Sequence, residues 1–180
     1  DTLAGVRSGA RTPQQVVAHN MAPSHAGERT VLVQPASHEW FSDEIDSELV
    51  EPSLHEAVVG DVVVPYRLYR AKNPNWGVIV WVHGGPIDQW QVTFRPKFSY
   101  WLSRGWSIAV VDHRGTTGYG RAFQQQLEGH WGEYDADDTV AVTRQVQRAF
   151  GFRPERTILM GSSAGGLSVL NALGQSQTLA

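Results

Sequence analysis

A short apolar strand, Thr157 to Met160, has to become a helix within a few residues, and the residues that make the turn are Gly161-Ser162-Ser163-Ala164-Gly165. That G-x-S-x-G spacing predicts a tight strand-to-helix turn in which small neighbours permit a strained backbone and Ser163 is lifted above the strand end. Ser163 is the candidate nucleophile; Ser162 is the weaker choice, because the motif centres on its neighbour. Where such a turn is used catalytically, the acid and the histidine come later in the chain than the serine. Here residues 164–180 contain no histidine, aspartate or glutamate, and all seven histidines precede Ser163. Half of the machinery that would activate Ser163 is therefore expected to lie outside this sequence.

Upstream of the turn, strand and helix patterns alternate. Leu54 to Val59 and Val62 to Tyr69 flank Gly60-Asp61, a pair with turn chemistry, and predict an antiparallel hairpin. Gly77 to Val82 is a continuous apolar run, as expected of a strand covered on both faces. A helix is expected over Lys97 to Arg104, with Pro96 near its start and Gly105 as a left-handed stop. The strand Trp106 to Val111 then runs into a glycine-rich loop, Asp112 to Gly120. A second helix is expected from Asp135, read as its N-cap, with Val142, Val146, Ala149 and Phe150 on one face and Gly151 and Pro154 at its end. Ala164 to Leu173 forms the helix behind Ser163. This alternation predicts an α/β fold: a mostly parallel sheet with helices on both faces, whose carboxyl-end loops converge on one crevice. His83 to Pro86, Asp112 to Gly120 and Ser163 all fall at such ends.

Residues 1–50 read differently from residues 51–180. Gln15 to Ala18 and Thr30 to Val33 are short apolar pieces between turn-rich stretches, which predicts a β-rich segment of antiparallel strands. With 180 residues the chain is long enough to bury a sizeable core. Charge is nearly balanced, 15 basic against 18 acidic residues for a net −3, with neither sign in a block. That argues against nucleic acid or an anionic membrane as a partner. No apolar run approaches the roughly 18 residues that span a bilayer. The first residues, Asp1 to Gly5, lack an initiator Met and a signal-peptide pattern, so the start reads as cut or processed. The absence of cysteine rules out disulfides and thiolate metal sites and fits a cytoplasmic location.

A serine hydroxyl attacks a carbonyl only with a base to take its proton and donors to hold the developing oxyanion. The backbone N–H of Ala164, at the start of a helix, is one expected donor. The second is assigned to Gly85, in a loop whose glycines let backbone approach a ligand closely. His83 is read as a residue that shapes this loop rather than one that moves a proton. Arg114 is expected to pin the glycine-rich loop by pairing with Asp135 or Asp138. Asp135, Asp137 and Asp138 lack the spacing of a calcium loop and are read as helix-start residues; no metal and no cofactor are expected. The seven Trp residues are read as core or crevice lining.

Together these residues resemble the prolyl oligopeptidase family of serine peptidases, in particular its acylaminoacyl-peptidase and dipeptidyl-peptidase-like branches. Four blocks carry the resemblance, in the family's order. His83-Gly84-Gly85-Pro86 is similar to the oxyanion loop, and Arg114-Gly115 with Gly118-Tyr119-Gly120 to an R-G-x-x-G-Y-G segment. His130-Trp131-Gly132 with Asp135 and Asp138 is similar to a W-G-x-x-D-x-x-D block, and Gly161 to Gly166 to G-x-S-x-G-G. The resemblance implies an α/β-hydrolase domain over residues 51–180, incomplete after the serine turn. It also implies that residues 1–50 are the end of a β-propeller and the crossover from it. It implies Ser163 as nucleophile and Gly85 and Ala164 as oxyanion-hole N–H donors, with a peptide as substrate.

On this reading the chain is the amino-terminal part of a catalytic domain, with negligible turnover unless another segment supplies the histidine. The open edge beside Thr157 to Met160 is expected to be covered by the carboxy-terminal half of the domain or by self-association. A carboxylesterase would share the same turn and donors. A noncatalytic binding module of the same fold is the alternative from a different class.

Overall fold

A computed structural model describes residues 1–25, 27–33 and 49–175. Within residues 1–50, expected to be the end of a propeller and the crossover from it, residue 26 and residues 34–48 lie outside the described residues. The chain forms two compact units, Asp1–Glu51 with Gln91–Tyr100, and Pro52–Trp90 with Trp101–Ala180.

The first unit carries an antiparallel meander of β1 (Thr2–Gly9), β2 (Thr12–Asn20) and β3 (Arg29–Val33). The β1/β2 register runs from Thr2 opposite Asn20 to Gly9 opposite Thr12, with an irregularity between Arg7 and Gly9. Val17 is the one strand residue of this sheet that is buried; β3 is exposed throughout.

The second unit is built on a five-stranded sheet in the order β4-β5-β7-β6-β8. β4 (Ser53–Val59) and β5 (Val62–Tyr69) form the expected hairpin, Val59 opposite Val62, and Gly60 supplies the positive φ of +60° that the turn needs. β5 is antiparallel to β7 (Trp106–Val111), whereas β6 (Gly77–Val82) is parallel to both β7 and β8 (Thr157–Gly161). The expectation of a mostly parallel sheet thus resolves into a mixed one: a hairpin half joined to a parallel half. A two-residue turn can only join antiparallel neighbours, while each parallel strand needs a crossover. Every residue of β6 is buried, as its unbroken apolar run requires.

Helices follow the parallel strands. α1 (Pro96–Leu102) begins at its proline and stops before Gly105, at φ +79°. α2 (Arg121–Gln125) is a short helix that the glycine-rich surroundings hid from the sequence reading. α3 (Tyr134–Phe150) packs on α4 (Ala164–Gln175) and against the sheet, burying Val142 and Val146 with Val64, Val80 and Val169. Gly151, at φ 71°, closes α3. Two expectations for α3 are corrected. Its N-cap is Glu133, without a side-chain bond, and Asp135 is the second helical residue. Ala149 is exposed rather than on the core face. Asp135 is drawn inside the helix because its carboxylate has partners beyond the helix end, described below.

Candidate active site

β8 ends at Gly161 and α4 begins at Ala164, so only Ser162 and Ser163 make the turn. Ser163 has φ 54°, the sole positive value at a non-glycine among the described residues, and it is exposed. Such a conformation costs on the order of 1–3 kcal/mol and persists only where surrounding structure imposes it. The glycines show what imposes it. A Cβ on Gly161 would fall 2.2 Å from the carbonyl oxygen of Gly165, and one on Gly165 would fall 2.5 Å from the carbonyl oxygens of Val82 and His83. Helix α4 therefore starts hard against the ends of β6 and β8, and the chain has no room for a wider bend.

The same contacts bring the His83 to Pro86 loop to the serine turn. A Cβ on Gly84 would lie 2.9 Å from the Ser162 carbonyl oxygen and 3.4 Å from Ser163 Cβ. Gly85 follows in the left-handed region at φ +76°. Ala164 is the first residue of α4, where backbone N–H groups have no partner within the helix. Ser163, Ala164 and Gly85, expected from sequence to act together, thus stand on two adjoining loops, with Gly84 as the residue in contact.

The floor beneath these loops is polar and buried. His83 is fully buried; its Nε2 is 2.8 Å from Thr116 Oγ1 and its Nδ1 is 3.3 Å from the Gly84 carbonyl oxygen. Burial, and next the adjoining His113, push its pKa down to about 4, outweighing the opposite pull of the Gly84 carbonyl, Asp112 and Asp88. A neutral ring has one N–H, so Nδ1 donates to Gly84 and Nε2 accepts from the Thr116 hydroxyl. His83 shapes the loop, as the sequence reading held, and the partner on the facing loop is Thr116. His113 donates from Nδ1 to the Arg114 carbonyl oxygen at 2.6 Å, and burial lowers its pKa too.

Arg114 pairs with Asp138 and not with Asp135. Its Nη2 and Nε donate to Asp138 Oδ1 at 2.7 and 3.0 Å, its backbone N–H donates to Oδ2 at 2.7 Å, and its guanidinium lies over the Tyr134 ring. Burial nonetheless raises the Asp138 pKa, the Arg114 contacts only opposing it. Asp112 belongs to a separate pair that sequence reading missed. Arg67 donates to both of its oxygens and to the Trp90 carbonyl, and the Tyr119 hydroxyl donates to Asp112 Oδ2 at 2.7 Å. Burial, and then this bond, hold the Tyr119 pKa above its ordinary value. An arginine between buried Tyr66 and Leu68 was the available signal, since a charge on a core strand has to be paired.

Asp135 accepts from the Gly132 N–H at 2.6 Å and from the Ser168 hydroxyl, and Asn171 Nδ2 donates to the Gly132 carbonyl oxygen at 2.6 Å. Among the described residues no group of His, Cys, Asp or Glu is arranged to hold a metal ion. Of the tryptophans, Trp81 is buried against Trp90, whereas Trp76 and Trp131 are exposed. One cavity, lined by Trp76, Trp106, Arg153, Glu155 and Arg156, lies at the amino ends of the parallel strands, opposite the serine turn. A smaller, more enclosed one lined by Ile87, Leu127 and Trp131 lies on the carboxyl side.

The chain has relatives among known proteins. Residues 92–179 match the sequence profile of the prolyl oligopeptidase family. The dipeptidyl peptidase family member 6 of Caenorhabditis elegans is 36% identical over 97 residues, which cover 53% of this chain and 13% of that protein. The structure of a Mycobacterium tuberculosis puromycin-hydrolyzing peptidase superposes with a TM-score of 0.83 at 25% identity, covering 97% of this chain and 27% of that one. Pyrococcus horikoshii acylaminoacyl peptidase shares the fold, with a TM-score of 0.79 at 23% identity over 98% of this chain and 28% of its own. The chain spans about 13–15% of the length of the curated relatives it matches. The matched segment, the shared α/β-hydrolase fold and the order of the motifs make the chain similar, over residues 92–179, to the prolyl oligopeptidase family of serine peptidases.

Proposed function

We propose that the full protein hydrolyses peptide bonds of short peptides through an acyl-enzyme on Ser163. The observation that carries this reading is the exposed Ser163 at φ 54°, held between Gly161 and Gly165 with Gly84 against it. In the proposed sequence, Ser163 Oγ attacks the scissile carbonyl and gives its proton to a base. The carbonyl oxygen takes up the electron pair, and the N–H groups of Gly85 and Ala164 hold it. The C–N bond then breaks as the amine leaves with the proton, and water hydrolyses the ester by the same steps. Each oxyanion donor contributes about 3 kcal/mol of transition-state stabilisation.

None of the described residues is assigned the role of base. His83 is neutral, buried and committed to Gly84 and Thr116, and no histidine follows Ser163. The histidine and its acid partner are assigned to residues beyond this sequence, so residues 1–180 alone are expected to turn over negligibly. The partner of the open β8 edge is either the remaining half of the hydrolase domain or a second copy. Residues 1–50 are assigned to the end of a propeller and the crossover from it, and the lack of cysteine favours the cytoplasm.

A fluorophosphonate probe tests the central assignment on the full-length protein. The wild type is expected to label and Ser163→Ala to lose labelling. Equal labelling of both removes Ser163 from the mechanism. Labelling together with cleavage of esters but not of peptide amides would make the protein a carboxylesterase.

A further inference from the structure

We propose that Asp135 is a positioning residue for Ser163, fastening the helix that begins at Ala164 to its neighbour; this rests on the acyl-transfer reading above. Ala164, Ser168 and Asn171 follow at helical spacing and lie on one side of α4. Two of them enter a closed ring of hydrogen bonds. The Ser168 hydroxyl donates to Asp135 Oδ2, the Gly132 N–H donates to Asp135 Oδ1 at 2.6 Å, and Asn171 Nδ2 donates to the Gly132 carbonyl oxygen at 2.6 Å. The helix backbone from Ser168 to Asn171 closes the ring, which joins α3, the His130 to Gly132 turn and α4.

The choice of residue argues for rigidity over mere packing. Asp135 is 4% exposed and Ser168 1%. Arg114, the arginine of the glycine-rich loop, is spent on Asp138. Burying a carboxylate without a cation is expensive, and an apolar residue would fill the same space at lower cost. What the carboxylate adds is charge-assisted hydrogen bonds, about twice as strong as neutral ones.

The mechanical need is specific. At its amino end α4 packs through Gly165 against the Val82 and His83 carbonyls, and the apolar contacts of Val169 fix its orientation less tightly than directional hydrogen bonds do. Rocking of the helix displaces the Ala164 N–H from the oxyanion. Ser168 and Asn171, one and two turns along, hold the helix against that motion.

The test is the inactivation of the full-length protein by a fluorophosphonate, with the limiting rate separated from the apparent affinity, and with the labelling end point counting folded molecules. Asp135→Ala is expected to slow the limiting rate about tenfold or more, with affinity changed less than about twofold, because a displaced donor acts on the transition state. Ser168→Ala, a milder change that removes one bond, should slow it about threefold. Asp135→Asn keeps an acceptor for Gly132 and a donor for Ser168, and should restore most of the rate. A purely structural role would lower the end point and leave the limiting rate of the folded fraction unchanged. If Ser168→Ala and Asp135→Ala both react at the wild-type limiting rate while Ser163→Ala is inert, the positioning role is wrong and the acyl-transfer reading stands. If Ser163→Ala labels like wild type, the acyl-transfer reading fails and the positioning role goes with it.

Discussion

His83 lies nearly flat on His113, ring centroids 4.4 Å apart and planes inclined by 21°, and neither ring reaches solvent. The pair joins the His83 to Pro86 loop to the Asp112 to Gly120 loop, so its charge state bears on both. Burial keeps both rings neutral, and repulsion from His113 adds to it at His83.

A pH dependence of stability follows. For His83 the folded pKa, about 4, lies below the unfolded value of 6.5, so the unfolded chain binds the extra proton between those limits. Stability from the neutral ring is complete above pH 6.5, falls as pH drops through the window, and is gone below about 4. The difference is worth about 3 kcal/mol at the acid end. Thermal unfolding of the full-length protein between pH 7 and 4 should show a falling Tm, and His83→Gln should flatten that slope. An unchanged slope in the variant would remove His83 as its source.

Two glycines of α4 should respond in opposite directions to alanine. At Gly165 the new methyl would sit 2.5 Å from two backbone oxygens, neither of which can give way without moving β6. Gly165→Ala is expected to destabilise by more than about 3 kcal/mol. Gly174 has open space around its Cβ position and ordinary helical backbone, so Gly174→Ala should stabilise by about 0.5–1 kcal/mol. Urea unfolding of both variants decides the matter, and equal effects would contradict the close packing at the turn.

The Arg67 and Asp112 pair should be strongly non-additive. Both side chains are buried, and removing one strands the other. Arg67→Ala alone is expected to cost about 3–5 kcal/mol, whereas Arg67→Ala with Asp112→Ala should cost less than the sum of the single changes. Additive costs in a double-mutant cycle would mean the two charges are solvated independently.

How much of this was legible in the sequence depended on whether a feature is local. The hairpin at Gly60-Asp61, the buried run Gly77 to Val82 and the turn at Gly161 to Gly165 are set by neighbouring residues, and all three stand where pattern places them. The start of α3 differs from expectation because Asp135 has a cap residue's chemistry but spends its carboxylate on Gly132 and Ser168, the latter 33 positions away. Arg67 and Asp112, 45 positions apart, were likewise invisible as a pair until β5 and β7 met. Between Asp135 and Asp138 as partners for Arg114, spacing alone could not choose. Asp138 is the one a full helical turn into α3, where its carboxylate meets both the guanidinium and the Arg114 N–H.

Helix α4 shows three large apolar side chains to solvent at helical spacing, Leu167, Leu170 and Leu173, at 53%, 68% and 46% exposure. Beside it β8 pairs with β6 on one edge and with no other strand among the described residues. A leucine covered by a partner contributes about 1.5–3 kcal/mol, and an open apolar strand edge recruits another strand. Residues 1–180 expressed alone are therefore expected to self-associate in a concentration-dependent way. Leu170→Glu should weaken that association, because it sets a charge in the middle of the stripe. Sedimentation velocity over a range of concentrations provides the measurement. A monomer that unfolds in one sharp cooperative step would show that neither the stripe nor the β8 edge seeks a cover, and the proposed partner of that edge would have to be given up.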